Sequence, residues 1–159
     1  MTFRYFEDFP PGEAVELGSR VMTEADIIGY ARDYDPQIFH TDPVGARETR
    51  FGGLVASGWH SCCVFMRLFV DGLMRESSAL AGLGVDEIRW LRPVHPGDRL
   101  SARATVLEAT PSRSKPDRGF VKHACELSNQ HGEAVMTMHA LALFGRRPAA
   151  TTAPGRGAE

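Results

Sequence analysis

Two groups of residues in this chain have the types and spacing to do chemistry, one by moving a proton and one by stabilising negative charge. The first is the run Tyr34-Asp35-Pro36-Gln37-Ile38-Phe39-His40-Thr41-Asp42, which sets a carboxylate and an imidazole five positions apart. Pro36 and the lack of a clean period make this run a loop, and a loop can fold both groups onto one point. An Asp oriented beside a His passes a proton to or from water near neutral pH. The same spacing also fits a purely structural role, with Asp35 in an Asx-turn before Pro36 and His40 satisfying a local hydrogen bond.

The second group is Ala56-Ser57-Gly58-Trp59-His60, at the start of a long apolar segment. The first N–H groups of a helix have no internal partners and carry partial positive charge, and a glycine there lets a ligand approach the main chain. Gly58 is thus placed to act as an oxyanion hole, while Ser57 taken alone reads as an ordinary N-cap. Other candidates are weaker. His60, His95, His123, His131 and His139 lack ligand spacing, so no metal site is expected. Cys62 and Cys63 point to different sides of a helix and read as core rather than nucleophiles. Gly82-Leu83-Gly84 is too short for a phosphate loop. Arg89, Arg92, Arg113, Lys115 and Arg118 suit a phosphorylated ligand and equally suit solvated positions.

The elements that must position these groups can be read from periodicity. Thr23 with Asp26 marks a helix start, and Ile27, Ile28 and Tyr30 carry that helix to about Arg32. Asp42-Pro43 predicts a second N-cap and a brief helix towards Thr49. From Gly58 to Arg75 the chain is apolar except for Arg67, Asp71 and Arg75, which share one narrow stripe, so this helix is expected to be buried nearly all round. Beyond it the period changes to 2. Leu100, Ala102, Ala104 and Val106 form one half-buried strand face, and Val121, His123, Cys125 and Leu127 another. Val135 to Phe144 is apolar on both parities and reads as an interior strand, after a hairpin turn at Asn129 to Glu133. Val85 to Val94 and Ala14 to Met22 supply two more extended segments. One apolar helix among five strands is buried most economically by an antiparallel sheet curled around it, with edge pairing of two copies covering the exposed strand.

Composition narrows the class of function. At 159 residues the chain fits one domain, residues 1–146, followed by a flexible tail, residues 147–159, with little to bury. Lys plus Arg number 18 against 20 for Asp plus Glu, a net charge of −2, so no global positive field favours nucleic acid or an anionic membrane. No apolar run reaches the roughly 18 residues needed to cross a bilayer, and Met1 to Glu13 lacks the pattern of a signal peptide. Three cysteines without a paired framework suit a reducing compartment, so the expected location is cytoplasmic.

Several segments, in order, resemble the MaoC-like dehydratase family. They are Thr23-Glu24-Ala25-Asp26-Ile27, the run from Tyr34 to Asp42, Ala56 to His60, and Arg89-Trp90-Leu91-Arg92-Pro93-Val94 with Pro96-Gly97-Asp98. The family includes (R)-specific enoyl-CoA hydratases and has the α+β hotdog fold, an antiparallel β-sheet wrapped around a long central helix. The resemblance runs from about Phe6 to Phe144 and implies a catalytic dyad of Asp35 and His40, with the Gly58 N–H polarising a thioester carbonyl. Gln37, Phe39, Ser57, Trp59 and Arg92 are the expected substrate contacts. The resemblance further implies a homodimer, with an acyl tunnel between helix and sheet and the coenzyme A arm reaching the dimer interface. Further assembly of dimers is left open. No cofactor is expected beyond the coenzyme A of the substrate itself, and no metal. Gln37-Ile38 stands where the strict motif has Asn-Pro, Tyr34 replaces the usual glycine, and Ser57 stands where hydratases often carry a His.

The function this implies is a hydratase or dehydratase that adds water to a trans-2-enoyl-CoA, giving a 3-hydroxyacyl-CoA, or runs the reverse reaction. Asp35 accepts the proton of water as its oxygen attacks Cβ while His40 helps deliver a proton to Cα, or the two roles are exchanged. The alternatives are a hotdog acyl-CoA thioesterase, with water directed at C1, and a non-catalytic module that binds acyl-CoA or acyl-carrier thioesters. Bulky Trp59, Phe65 and Phe69 predict a short or medium acyl tunnel.

Overall fold

A computed structural model describes residues 2–149. Strand β1, Ala14–Val21, leads to helix α1, Glu24–Tyr34, whose N-cap Thr23 accepts from the Asp26 N–H at 3.0 Å. A one-turn helix α2, Ile38–Thr41, and a 3-10 turn, Gly45–Glu48, precede helix α3, Gly58–Phe69. Four strands complete the fold: β2 Ala79–Trp90, β3 Arg99–Pro111, β4 Arg118–Ser128 and β5 Ala134–Gly145. They join β1 in one antiparallel sheet of order β1-β3-β4-β5-β2.

The sheet's inner face carries the residues whose alternation marked it. Leu100, Ala102, Ala104 and Val106 of β3 and Val121, Cys125 and Leu127 of β4 are buried, and Val64, Phe65, Leu68 and Phe69 of α3 share their core. Full burial stabilises by about 1.5–3 kcal/mol for each Val, Leu or Phe among them. The helix end comes close enough to the sheet that a Cβ on Gly72 would lie 2.8 Å from the Leu17 Cα. The β4–β5 turn closes as its residues predict, with the Asn129 carboxamide oxygen accepting from the His131 and Glu133 N–H groups, both at 3.0 Å. His123 faces the same core at 1% exposure, among Phe9, Phe69 and Phe144. Burial, helped by Arg4, pushes its pKa down to about 4, so the ring stays neutral at physiological pH.

Several expectations are corrected. Helix α3 is not buried all round: Trp59, Cys63 and Met66 extend the exposed Arg67–Asp71 stripe, because a single sheet layer covers one side of the helix. The helix ends as a π-helical turn, Val70–Met74. The segment from Asp33 to Asp42 is not all loop, since α1 runs to Tyr34 and a single turn re-forms after Pro36. That turn closes when the Asp42 N–H donates to the Ile38 carbonyl at 2.9 Å. Asp42 does bond the Val44 N–H at 2.9 Å, but the next element is a 3-10 turn rather than an α-helix. Strand β2 begins six residues before Val85 and absorbs Gly82-Leu83-Gly84. Arg146, the last residue of the expected domain, pairs with Glu7, and Arg147, the first of the expected tail, pairs with Asp8. Residues 150–159 of that tail lie outside the described residues.

Candidate active site

Asp35 and His40 meet although they lie on different elements. The carboxylate is the C-cap of α1 and the imidazole sits on α2, with Pro36 turning the chain between them. Asp35 Oδ2 lies 3.4 Å from His40 Nε2. Two donors hold the carboxylate: the Ser57 hydroxyl donates to Oδ2 and the Gln37 amide to Oδ1, each at 2.7 Å. Burial pushes the Asp35 carboxyl up. The bonds from Ser57 and Gln37, with the His40 imidazole, outweigh it and leave the group below the usual carboxylate value.

His40 is buried, and its Nδ1 lies 2.7 Å from the Val55 carbonyl oxygen. A carbonyl only accepts, so Nδ1 carries a proton, and whenever the ring is neutral Nε2 presents its lone pair towards Asp35. Phe39 packs edge-on to His40 at 4.4 Å between ring centroids, and Phe51 packs behind Phe39 at 5.1 Å.

Helix α3 begins at the same place. Ser57, 1% exposed, uses one oxygen twice, donating to Asp35 and accepting from the Trp59 N–H at 3.3 Å as the helix N-cap. Gly58 is the first helical residue, where an N–H has no intrahelical acceptor. A Cβ on Gly58 would lie 2.5 Å from the Trp90 indole, so the position accepts only glycine while that ring stays in place. A cavity of about 420 Å³ joins these parts and is lined by Asp35, Phe39, His40, Ser57, Gly58 and Trp59. Trp90 to Val94, Val135 and the exposed Arg50 also line it.

The expected contacts are sorted by this geometry. Phe39, Ser57, Trp59 and Arg92 line the cavity, whereas the Gln37 side chain turns back to position Asp35. Phe65 and Phe69, expected to limit an acyl tunnel, pack into the core instead. Arg92 is engaged with Glu133 at 3.5 Å and with the Ala134 carbonyl at 2.9 Å. Val55, Arg50 and Phe51 join the site without a signal in the sequence. Val55 contributes through its backbone, which no residue type marks, and Arg50 is distinguished only by being cationic near a site that does not exist until the chain folds. Among the described residues no cluster of His, Cys, Asp and Glu suits a metal ion, and no cysteine lines this cavity.

Fold and site together define an α+β hotdog domain with an acid–imidazole pair facing a helix N-terminus. The double hotdog protein Rv0216 of Mycobacterium tuberculosis shares the fold, with a TM-score of 0.76 at 17% identity over 98% of this chain and 48% of that one. The MaoC like domain family model matches residues 8–124, and the chain belongs to the MaoC-like dehydratase family. The MaoC-like dehydratase of Rhodospirillum rubrum is 39% identical and superposes with a TM-score of 0.84 over 92% of this chain and 99% of that one. Protein MaoC of Klebsiella aerogenes is 34% identical over 67% of this chain and 32% of its own length. The mesaconyl-CoA hydratase of Cereibacter sphaeroides is 31% identical over 95% of this chain and 44% of its own length. The chain thus spans less than half the length of these two relatives.

Proposed function

We propose that this protein is a hydratase acting on acyl thioesters, adding water across a trans-2-enoyl-CoA to give a 3-hydroxyacyl-CoA, or catalysing the reverse. The observation that carries this reading is the 3.4 Å approach of Asp35 Oδ2 and His40 Nε2 in the cavity that also receives the start of α3. Membership of the MaoC-like family and likeness to a relative named as a mesaconyl-CoA hydratase support it.

In the neutral imidazole and ionised carboxylate both facing atoms are acceptors, and one water supplies a hydrogen to each. With Nδ1 committed to the Val55 carbonyl, Nε2 is the base that takes the proton of water. As the water oxygen bonds Cβ, the electron pair of the double bond shifts through Cα to the thioester oxygen, where the Gly58 N–H stabilises the charge. One such donor is worth about 100- to 1,000-fold in rate. The proton then passes from Nε2 to Cα and the thioester carbonyl re-forms, leaving OH on Cβ, H on Cα and the dyad restored. Asp35, whose pKa is held down, stays ionised and steadies the transient imidazolium.

The unpaired long edge of β2 favours a homodimer as the working unit, a second copy covering Leu80, Leu83 and Val85. The test of the chemistry is loss of the conjugated enoyl absorbance of crotonyl-CoA. Asp35→Ala and His40→Ala should each lower turnover by at least about 100-fold with the fold retained by circular dichroism. Wild-type rates in both variants would refute the mechanism. Release of free CoA, read with a thiol reagent, would identify a thioesterase, and binding without turnover a carrier-type module.

A further inference from the structure

Two arginines border the cavity, and they are in different electrostatic states. Arg92 lies 3.5 Å from the Glu133 carboxylate and donates to the Ala134 carbonyl. Arg50, which also lines the cavity, has no carboxylate within 4.0 Å and no hydrogen-bond acceptor among the described residues. It is also not loosely placed. Its guanidinium lies over the Phe51 ring, 4.8 Å from the centroid, and Phe51 continues through Phe39 to the ring of His40. A stacked guanidinium loses part of its freedom while keeping its N–H donors available, which suits it to a planar or tetrahedral oxyanion. Asp35 is the one carboxylate among the cavity's lining residues, and it is already bonded to Ser57 and Gln37.

We propose that Arg50 is the anion-binding residue of this site, taking the oxygens of a carboxylate or phosphate carried by the thioester ligand. This rests on reading the cavity as an acyl-thioester site, and it adds a requirement on the ligand: one negative group must lie at the rim beside Phe51 while the thioester faces Gly58. Two parts of such a ligand carry that chemistry, a carboxylate on the acyl chain and the phosphates of the coenzyme A arm. Arg92, the contact expected from the sequence, is less available because Glu133 and the Ala134 carbonyl already engage two of its nitrogens.

The test uses saturated thioesters, which cannot be hydrated, so binding is read independently of any turnover. Dissociation constants of butyryl-CoA, glutaryl-CoA and butyryl-N-acetylcysteamine are measured by calorimetry on the full chain and on Arg50→Gln and Arg50→Lys. If the anion is an acyl carboxylate, Arg50→Gln weakens glutaryl-CoA alone, by about 10- to 100-fold. If it is a coenzyme phosphate, both CoA esters weaken alike and the N-acetylcysteamine ester, which has no phosphate, does not. Arg50→Lys should recover part of either loss, and the affected affinity should fall with added salt, since the side chain is exposed. Unchanged affinity for all three ligands, equal loss on all three, or a wild-type protein that binds none of them would each overturn the proposal. Failure to hydrate crotonyl-CoA alongside an intact Arg50 effect would instead remove the hydratase reading and leave the anion site standing.

Discussion

Ser57 joins the site to the fold through one hydroxyl. It caps α3 and donates to Asp35, so Ser57→Ala should act on stability and on catalysis at once. Loss of the cap should cost about 1 kcal/mol in denaturant unfolding. Loss of the donor should let the Asp35 carboxyl rise from its depressed value. Because the folded pKa lies below the unfolded one, the stabilisation from this carboxylate is complete above the ordinary carboxylate range and disappears as pH falls through the lower folded value. In Ser57→Ala the lower edge of that window should move to higher pH, read from denaturant unfolding at a series of pH values. An unmoved window would mean that the Ser57 hydroxyl does not hold the Asp35 carboxyl down. Among individual residues, the pairing of Asp35 with His40 is legible because five residues and a proline bring them together locally. The Ser57 contact, 22 positions away, is not.

Helix α3 acts by where it starts. Its start lies beside the dyad because its N-cap Ser57 donates to Asp35, and Gly58 permits the Trp90 ring to close over it. Gly58→Ala would drive a methyl into that indole, and the half-exposed ring can respond only by moving. We expect a loss of about 1–3 kcal/mol in stability, a fall in turnover, and a shift in emission from Trp59 and Trp90, the chain's two tryptophans. Unchanged emission and rate would show that the indole does not lie against the helix start in solution. The strands with strict alternation are legible in full, since one face meets the core and the other does not. The first half of β2 escapes such a reading because Ala79 to Gly84 is rich in alanine and glycine and belongs to a solvent-facing edge, where burial writes no pattern.

For the molecule as a whole the unfinished feature is β2. It is twelve residues long, pairs among the described residues only with β5, and carries Leu80, Leu83 and Val85 half-exposed or nearly so. A long apolar edge of this kind invites pairing with a second chain. The protein should therefore sediment as a dimer at micromolar concentration. Leu83→Lys combined with Val85→Lys should shift it towards monomer and lower the melting temperature, because two charges would then face their own copies across the interface. A wild-type protein that sediments as a single chain would remove the dimer from the proposed function.

Local sequence is enough to set the order of elements, the apolar faces of β3 and β4, the caps of α1 and α3, and the two groups around Asp35–His40 and Ser57–Gly58. Each of these depends on residues a few positions apart, where spacing and side-chain type are sufficient. Folding in three dimensions adds the rest: the Val55 carbonyl sets the His40 tautomer, Ser57 holds Asp35, Arg92 is spent on Glu133 while Arg50 is left uncommitted, and Trp90 covers Gly58. These relations join segments 15 to 41 positions apart through backbone atoms and packed surfaces, and such distances are set by how the sheet closes over the helix, which no local pattern encodes.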